Sequence, residues 1–155
     1  MIVNNLQREW KPNATVAAIV ERGGRFLMVE EDTADGLRLN QPAGHLEPGE
    51  TLLQAVEREA REETGWRFTP QGLTGIYLAD RPGSDITYLR FAFHGSATPP
   101  QQPAALDAGI VAVHWLSHQE IQAQQARLRS PVVLSCLADY IAGVRYPLDL
   151  IRDLR

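Results

Sequence analysis

The segment that most constrains this chain is a predicted helix that starts apolar and ends acidic. Glu59, Glu62 and Glu63 fall on its last turns, and spacings of three and four residues bring them to the side that carries Leu52, Ala55 and Val56. A helix buries such a stripe, yet unpaired charges carried towards a core are costly. Thr51 with Gln54 has capping-box spacing and Gly65 suits a C-terminal cap, so the helix is expected from near Thr51 to near Gly65. That end of a helix carries about half an elementary negative charge and favours basic residues, not two adjacent glutamates. A hard divalent cation resolves the conflict, since Mg2+ takes oxygen ligands, commonly one or two carboxylates together with substrate phosphates. A solvated acidic patch would leave the apolar continuation and the preceding glycine-proline loop, residues 44–50, without a reason.

Other features narrow the class. A length of 155 residues suits one domain, 1–155, with a sizeable core. A net charge of −4 offers no attraction to a nucleic acid polymer or an anionic membrane. An anionic substrate would therefore need metal ions or placed arginines. No apolar run approaches the roughly 20 residues that span a bilayer, and residues 1–10 lack the apolar segment of a signal peptide. The single cysteine, Cys136, excludes an internal disulfide and suits a reducing, cytoplasmic setting. It lies in a periodic apolar run with Val132, Val133, Leu137 and Tyr140, and reads as a core residue.

Along the chain, residues 15–21 and 25–30 read as a hairpin turned by Gly23-Gly24. Residues 31–37 are polar and read as a loop, and residues 38–41 as a short strand leading into the glycine-proline loop. Residues 68–78, 86–94 and 110–116 read as strands; in the second, Tyr88, Arg90 and Ala92 share one face. Ser117 opens a short helix and a final helix is expected over 131–142. Strands on both sides of a central helix define an α/β (or α+β) sandwich with a mixed sheet between helices.

Gly44, Glu50, Arg58, Glu59, Glu62, Glu63 and Gly65 together match the fixed positions of the Nudix box, and the chain thereby resembles the Nudix hydrolase superfamily. Where that pattern has bulky apolar residues, Ala60 is small and Trp66 is aromatic, and both remain apolar. Residues 40–47, 128–131 (Leu-Arg-Ser-Pro) and 145–148 (Arg-Tyr-Pro-Leu) are similar to segments of the phosphatase NudJ subgroup, and the likeness spans about residues 10–150. It implies a Nudix-type α/β/α sandwich and Mg2+-dependent hydrolysis of phosphoanhydride bonds, with Mn2+ as an alternative ion. Members like these release orthophosphate from nucleoside di- and triphosphates, and act on thiamine diphosphate and hydroxymethylpyrimidine diphosphate.

The resemblance also implies roles. Glu59, Glu62 and Glu63 would bind metal, joined by the Gly44 carbonyl, with Arg58 orienting the carboxylates. Glu50 is expected to anchor the loop or the helix start, and Glu47 is a further candidate ligand. Many relatives carry an acidic residue just before the strand that corresponds to residues 110–115; here Gly109 stands there and Asp107 is the nearest carboxylate. The general base therefore stays open between Glu59 and Asp107. Arg38 and Arg90 are candidates for binding substrate phosphate, and Tyr77 or Tyr88 for stacking on a ring, with core packing as the plainer alternative. The expected partner is a small phosphorylated molecule, the expected assembly a monomer or homodimer. Two other readings compete: a Nudix enzyme for nucleotide sugars or dinucleoside polyphosphates, and a Nudix-fold binding module without hydrolysis. The intact acidic positions speak against the second.

Overall fold

The structure is a computed structural model that describes residues 9–155. The reading of residues 1–10 as free of a leader segment therefore falls largely outside the described residues. Among those described, seven strands form one mixed sheet: β1 (Asn13–Arg22), β2 (Arg25–Thr33), β3 (Gly36–Asn40), β4 (Ala43–His45), β5 (Arg67–Asp80), β6 (Thr87–Thr98) and β7 (Ile110–Ser117). The main path runs β3-β2-β1-β6-β5, with β4 added to β1 and β7 to β2. At its centre β1 and β6 run parallel, from Asn13 beside Tyr88 to Val20 beside Gly95. The other pairings are antiparallel.

β1 and β2 are paired only next to their turn, at Glu21 with Phe26 and Arg22 with Arg25. Gly23 and Gly24 supply that turn with φ of 57° and 77°, the positive values a two-residue hairpin needs. Beyond it the two strands separate, and β4 takes the vacated edge of β1, with Val16 beside Gly44. The splay is what lets the glycine-proline loop enter the sheet.

Helix α1 (Leu52–Thr64) lies on one face, α2 (His118–Ala123) and α3 (Val132–Ile141) on the other. The alternation of β1 feeds both layers. Val16, Ala18 and Val20 pack with Ala55, Val56 and Ala60 of α1, while Ile19 packs with Val133, Cys136 and Leu137 of α3. The α/β/α sandwich expected from the sequence is the fold observed. Trp66 stacks edge-on with Trp115, with ring centroids 5.1 Å apart and the Arg22 guanidinium over it, so the aromatic substitution in the motif has a packing partner. No helix among the described residues is long and apolar enough to cross a membrane.

Three expectations are corrected. Residues 31–37 are not a loop: β2 continues to Thr33 and β3 begins at Gly36, leaving a tip of two residues. There the Thr33 hydroxyl accepts from the Asp35 N–H and donates to the Gly36 carbonyl, a local substitute for ladder bonds. β4 was not foreseen, because three residues carry no readable period. β5 is longer than expected; Gln71 and Thr74 are skipped in its pairing with β6, and these bulges absorb the glycines that looked like interruptions.

Candidate active site

The caps of α1 fix where its acidic end lies. The Thr51 hydroxyl accepts from the Gln54 N–H while the Gln54 side chain accepts from the Thr51 N–H. Gly65, at φ 77°, closes the other end by donating its N–H to the Arg61 carbonyl. Between them Ala55, Val56 and Ala60 are fully buried against the sheet, so the last turns carry Glu59 and Glu63 against β4, at Gly44 and Ala43.

Arg58 organises the acids. Its Nε and Nη2 donate to the two oxygens of Glu50 at 2.9 and 2.7 Å, and Nη2 also donates to the His45 carbonyl at 2.9 Å. Its Nη1 donates to Glu59 Oε1 at 2.8 Å and Glu62 Oε2 at 3.1 Å. All five N–H groups of the guanidinium are thereby used. Glu50 in turn accepts the Glu47 N–H at 2.7 Å, which closes the loop as the sequence suggested. The Arg58 bonds hold the Glu50 carboxyl below the usual carboxylate range and push the Arg58 guanidinium up. Glu47 stands further out, 3.6 Å from Arg58.

Gly44 shows why a glycine is required. A Cβ at that position would lie 2.1 Å from the Glu59 carboxyl carbon. The Glu59 carboxylate thus rests on the bare Cα of β4. Burial pushes its carboxyl above the ordinary value, against the pull of Arg58, with Glu62 and Asp107 adding repulsion. Glu63 is 6 % exposed, and its Oε1 accepts the Ala43 N–H at 2.7 Å. Burial pushes its carboxyl strongly upward, and the carboxyls of Glu31 and Glu59 nearby add to this against the Ala43 bond.

Asp107 reaches the group from outside the helix. Its N–H donates to the Glu62 carbonyl at 2.9 Å, using an acceptor that the helix end leaves open. Its own carbonyl accepts the Ile110 N–H at 3.1 Å, and Gly109, at φ 95°, lets the loop turn while its carbonyl accepts the Asp32 N–H at 2.8 Å. Glu59, Glu62 and Asp107 consequently present oxygens within 4.8 Å of one another. The shifted loop therefore does place a carboxylate beside the helix acids. The donor set is all oxygen, and Glu59, Glu62 and Asp107 converge closely enough to share one ion, so the residues fit a hard divalent cation.

Sequence reasoning missed Glu31, which lies against Glu63. The polar run predicts a loop there, whereas the structure pairs Glu31 in the extended β2, with Val111 skipped opposite Glu30 and Glu31. The two candidate arginines make their hydrogen bonds outside the carboxylate group. Arg90 is buried at 7 % exposure, donating to Gln41 Oε1 at 3.0 Å and Asn40 Oδ1 at 3.2 Å. Arg38 pairs with Glu31 across the strands, but its Nη1 turns back to the Leu37 carbonyl at 3.0 Å. Tyr77 donates to Asp139 Oδ2 at 2.7 Å and packs beside the α3 core, while Tyr88 meets His45 edge-on at 6.1 Å on the face that carries Arg90.

A sandwich that holds a helix of carboxylates on a glycine cradle defines a class, and the family model of the NUDIX domain matches residues 10–135. The chain belongs to the Nudix family and is an enzyme, a phosphohydrolase. It is 43% identical over 147 residues to "Phosphatase NudJ" of Escherichia coli (strain K12), covering 93% of each chain. Among solved structures it is similar to a NUDIX hydrolase from Nitrosomonas europaea, with 49% identity, a TM-score of 0.89, and coverage of 92% of this chain and 97% of that one. A MutT NUDIX hydrolase from Burkholderia pseudomallei, at 18% identity and a TM-score of 0.69 over 84% of this chain and 98% of that one, shares the fold alone. Nudix enzymes generally need a divalent metal, and the acidic cluster supplies a place for one.

Proposed function

We propose that this chain is a Mg2+-dependent cytoplasmic phosphatase, able to use Mn2+ instead. It hydrolyses phosphoanhydride bonds in nucleoside di- and triphosphates and in related small diphosphates such as hydroxymethylpyrimidine diphosphate and thiamine diphosphate, releasing orthophosphate. The observation that carries this reading is the convergence of Glu59 and Glu62, with Glu59 against Gly44, and with Asp107 within 4.8 Å of both to receive a proton. Its support on the substrate side is the likeness to a protein named as a phosphatase.

In this reading the Gly44 carbonyl, Glu59, Glu62 and Glu63 hold the metal. When bound, the ion supplies charge neutralisation on the phosphoryl oxygens and lowers the pKa of water. Arg58 fixes the Glu59 and Glu62 carboxylates so that little rearrangement accompanies the reaction. Asp107, exposed and with no hydrogen bond to its carboxylate among the described residues, takes the proton of the attacking water. Glu59 serves this role less well, because Arg58 occupies one of its oxygens. Arg38 meets the part of the substrate beyond the reacting phosphates with the donors that Leu37 leaves open. Arg90 acts as a positioning residue that sets the amides of Asn40 and Gln41.

A phosphate-release screen tests the proposal. Nucleoside diphosphates with Mg2+ should yield orthophosphate directly, and EDTA should stop the reaction. Production of only nucleoside monophosphate and pyrophosphate from triphosphates would reject it.

A further inference from the structure

Arg129 is a cation beside the carboxylates to which nothing above gives a task. Leu128 forms a bridge to Leu39, and the Arg129 N–H donates to the Leu39 carbonyl at 2.8 Å. The chain after the 3-10 turn Gln125–Arg127 thereby covers the outer edge of β3 and sets Arg129 where Glu31 emerges. Its Nη1 stands 3.8 Å from Glu31 Oε2, too far for a hydrogen bond. Glu31 lies against Glu63. The guanidinium is therefore one carboxylate away from the helix acids, and at 42 % side-chain exposure it is open to a ligand.

The neighbouring arginines are committed. Arg58 has used its donors on Glu50, Glu59, Glu62 and His45. Arg127 is held by Glu30 and Gln124. Arg90 is buried on two amides, and Arg38, whose Nη1 bends back to the Leu37 carbonyl, has its remaining donors assigned to the part of the substrate beyond the reacting phosphates. A group of carboxylates that receives a polyanion gains from a cation on the far side of the reacting phosphorus. The planar fork of arginine suits phosphate oxygens in pairs.

We infer that Arg129, tethered loosely by Glu31, is a substrate-binding residue that takes the terminal phosphate of the diphosphate, the group that departs as orthophosphate. This rests on the proposed function and adds the residue that selects an unsubstituted terminal phosphate. A diphosphate esterified at both ends would present the fork with fewer charged oxygens and bind less well.

The test is binding of methylenediphosphonate, a diphosphate that cannot be hydrolysed, to the full chain with Mg2+, followed by calorimetry. Mn2+ binding without the diphosphonate is measured in parallel by electron paramagnetic resonance. Arg129→Ala should weaken the diphosphonate by about tenfold or more while Mn2+ affinity stays within about twofold. Arg129→Lys should fall between, and turnover of a nucleoside diphosphate should show the loss mainly in KM. Should the alanine variant fold poorly, Arg129→Gln and Arg129→Lys carry the same comparison. Unchanged diphosphonate binding in a variant, with the wild type binding well, overturns the inference alone. An equal loss of Mn2+ affinity also overturns it, since Arg129 would then only support the metal centre. A wild type that ignores the diphosphonate in Mg2+ overturns the proposed function, and this inference with it.

Discussion

A single missing methyl group sets the geometry of the centre. The Glu59 carboxyl occupies the space that any side chain at Gly44 would fill, so Gly44→Ala must displace either β4 or the carboxylate. Moving β4 would strain the Ala43 N–H bond to Glu63 and the His45 carbonyl bond to Arg58, so the carboxylate is the part that yields. Gly44→Ala is expected to remain folded, as judged by circular dichroism, with Mn2+ affinity reduced about tenfold or more, some 1.4 kcal/mol. Metal affinity within a factor of two of the wild type would show that the cradle is not needed. The sequence made Gly44 visible as a member of a pattern. The reason for it, contact with a residue fifteen positions later, belongs to the folded chain.

At the scale of the element, α1 was legible almost to the residue because its signals are local: a capping box at Thr51, a glycine in the left-handed region at Gly65, and apolar spacing between. Thr51→Ala removes one of the reciprocal cap bonds and should cost about 1 kcal/mol of stability in chemical denaturation. A loss below about 0.3 kcal/mol would mean that packing alone defines the helix start. The elements that were misread depend on distant partners. Residues 31–33 are polar and lack alternation, and they are strand only because β3 and β7 pair with β2 on its two sides. For the same reason Glu31 was invisible as a site residue. Asp107 was noticed but could not be placed, since its position depends on a backbone bond to Glu62. Arg90 alternates correctly, and its burial on Asn40 and Gln41 required the parallel pairing of β1 with β6.

Across the whole molecule, burying these acids should appear as a pH dependence of stability. The carboxyls of Glu59 and Glu63 have pKa values raised in the fold. The folded protein therefore holds protons that the unfolded chain releases. Their contribution to metal-free stability should be fully present below the unfolded value near 4.5 and be lost as pH rises towards the raised folded values. A divalent ion binds the ionised carboxylates, so its stabilising effect should grow over that same interval. Thermal melts between about pH 5 and 8, with EDTA and with Mg2+, should show curves that diverge with rising pH. A constant separation would place the ion elsewhere.

The parallel junction of β1 with β6 carries one more consequence, for the order in which the molecule can form during synthesis. Asn13 must meet Tyr88, and Val20 must meet Gly95, so the middle of the sheet cannot close until more than half the polypeptide has left the ribosome. Until then the hydrophobic run of β1 has no lateral neighbour on that flank, and it is the segment on which a chaperone should first be found.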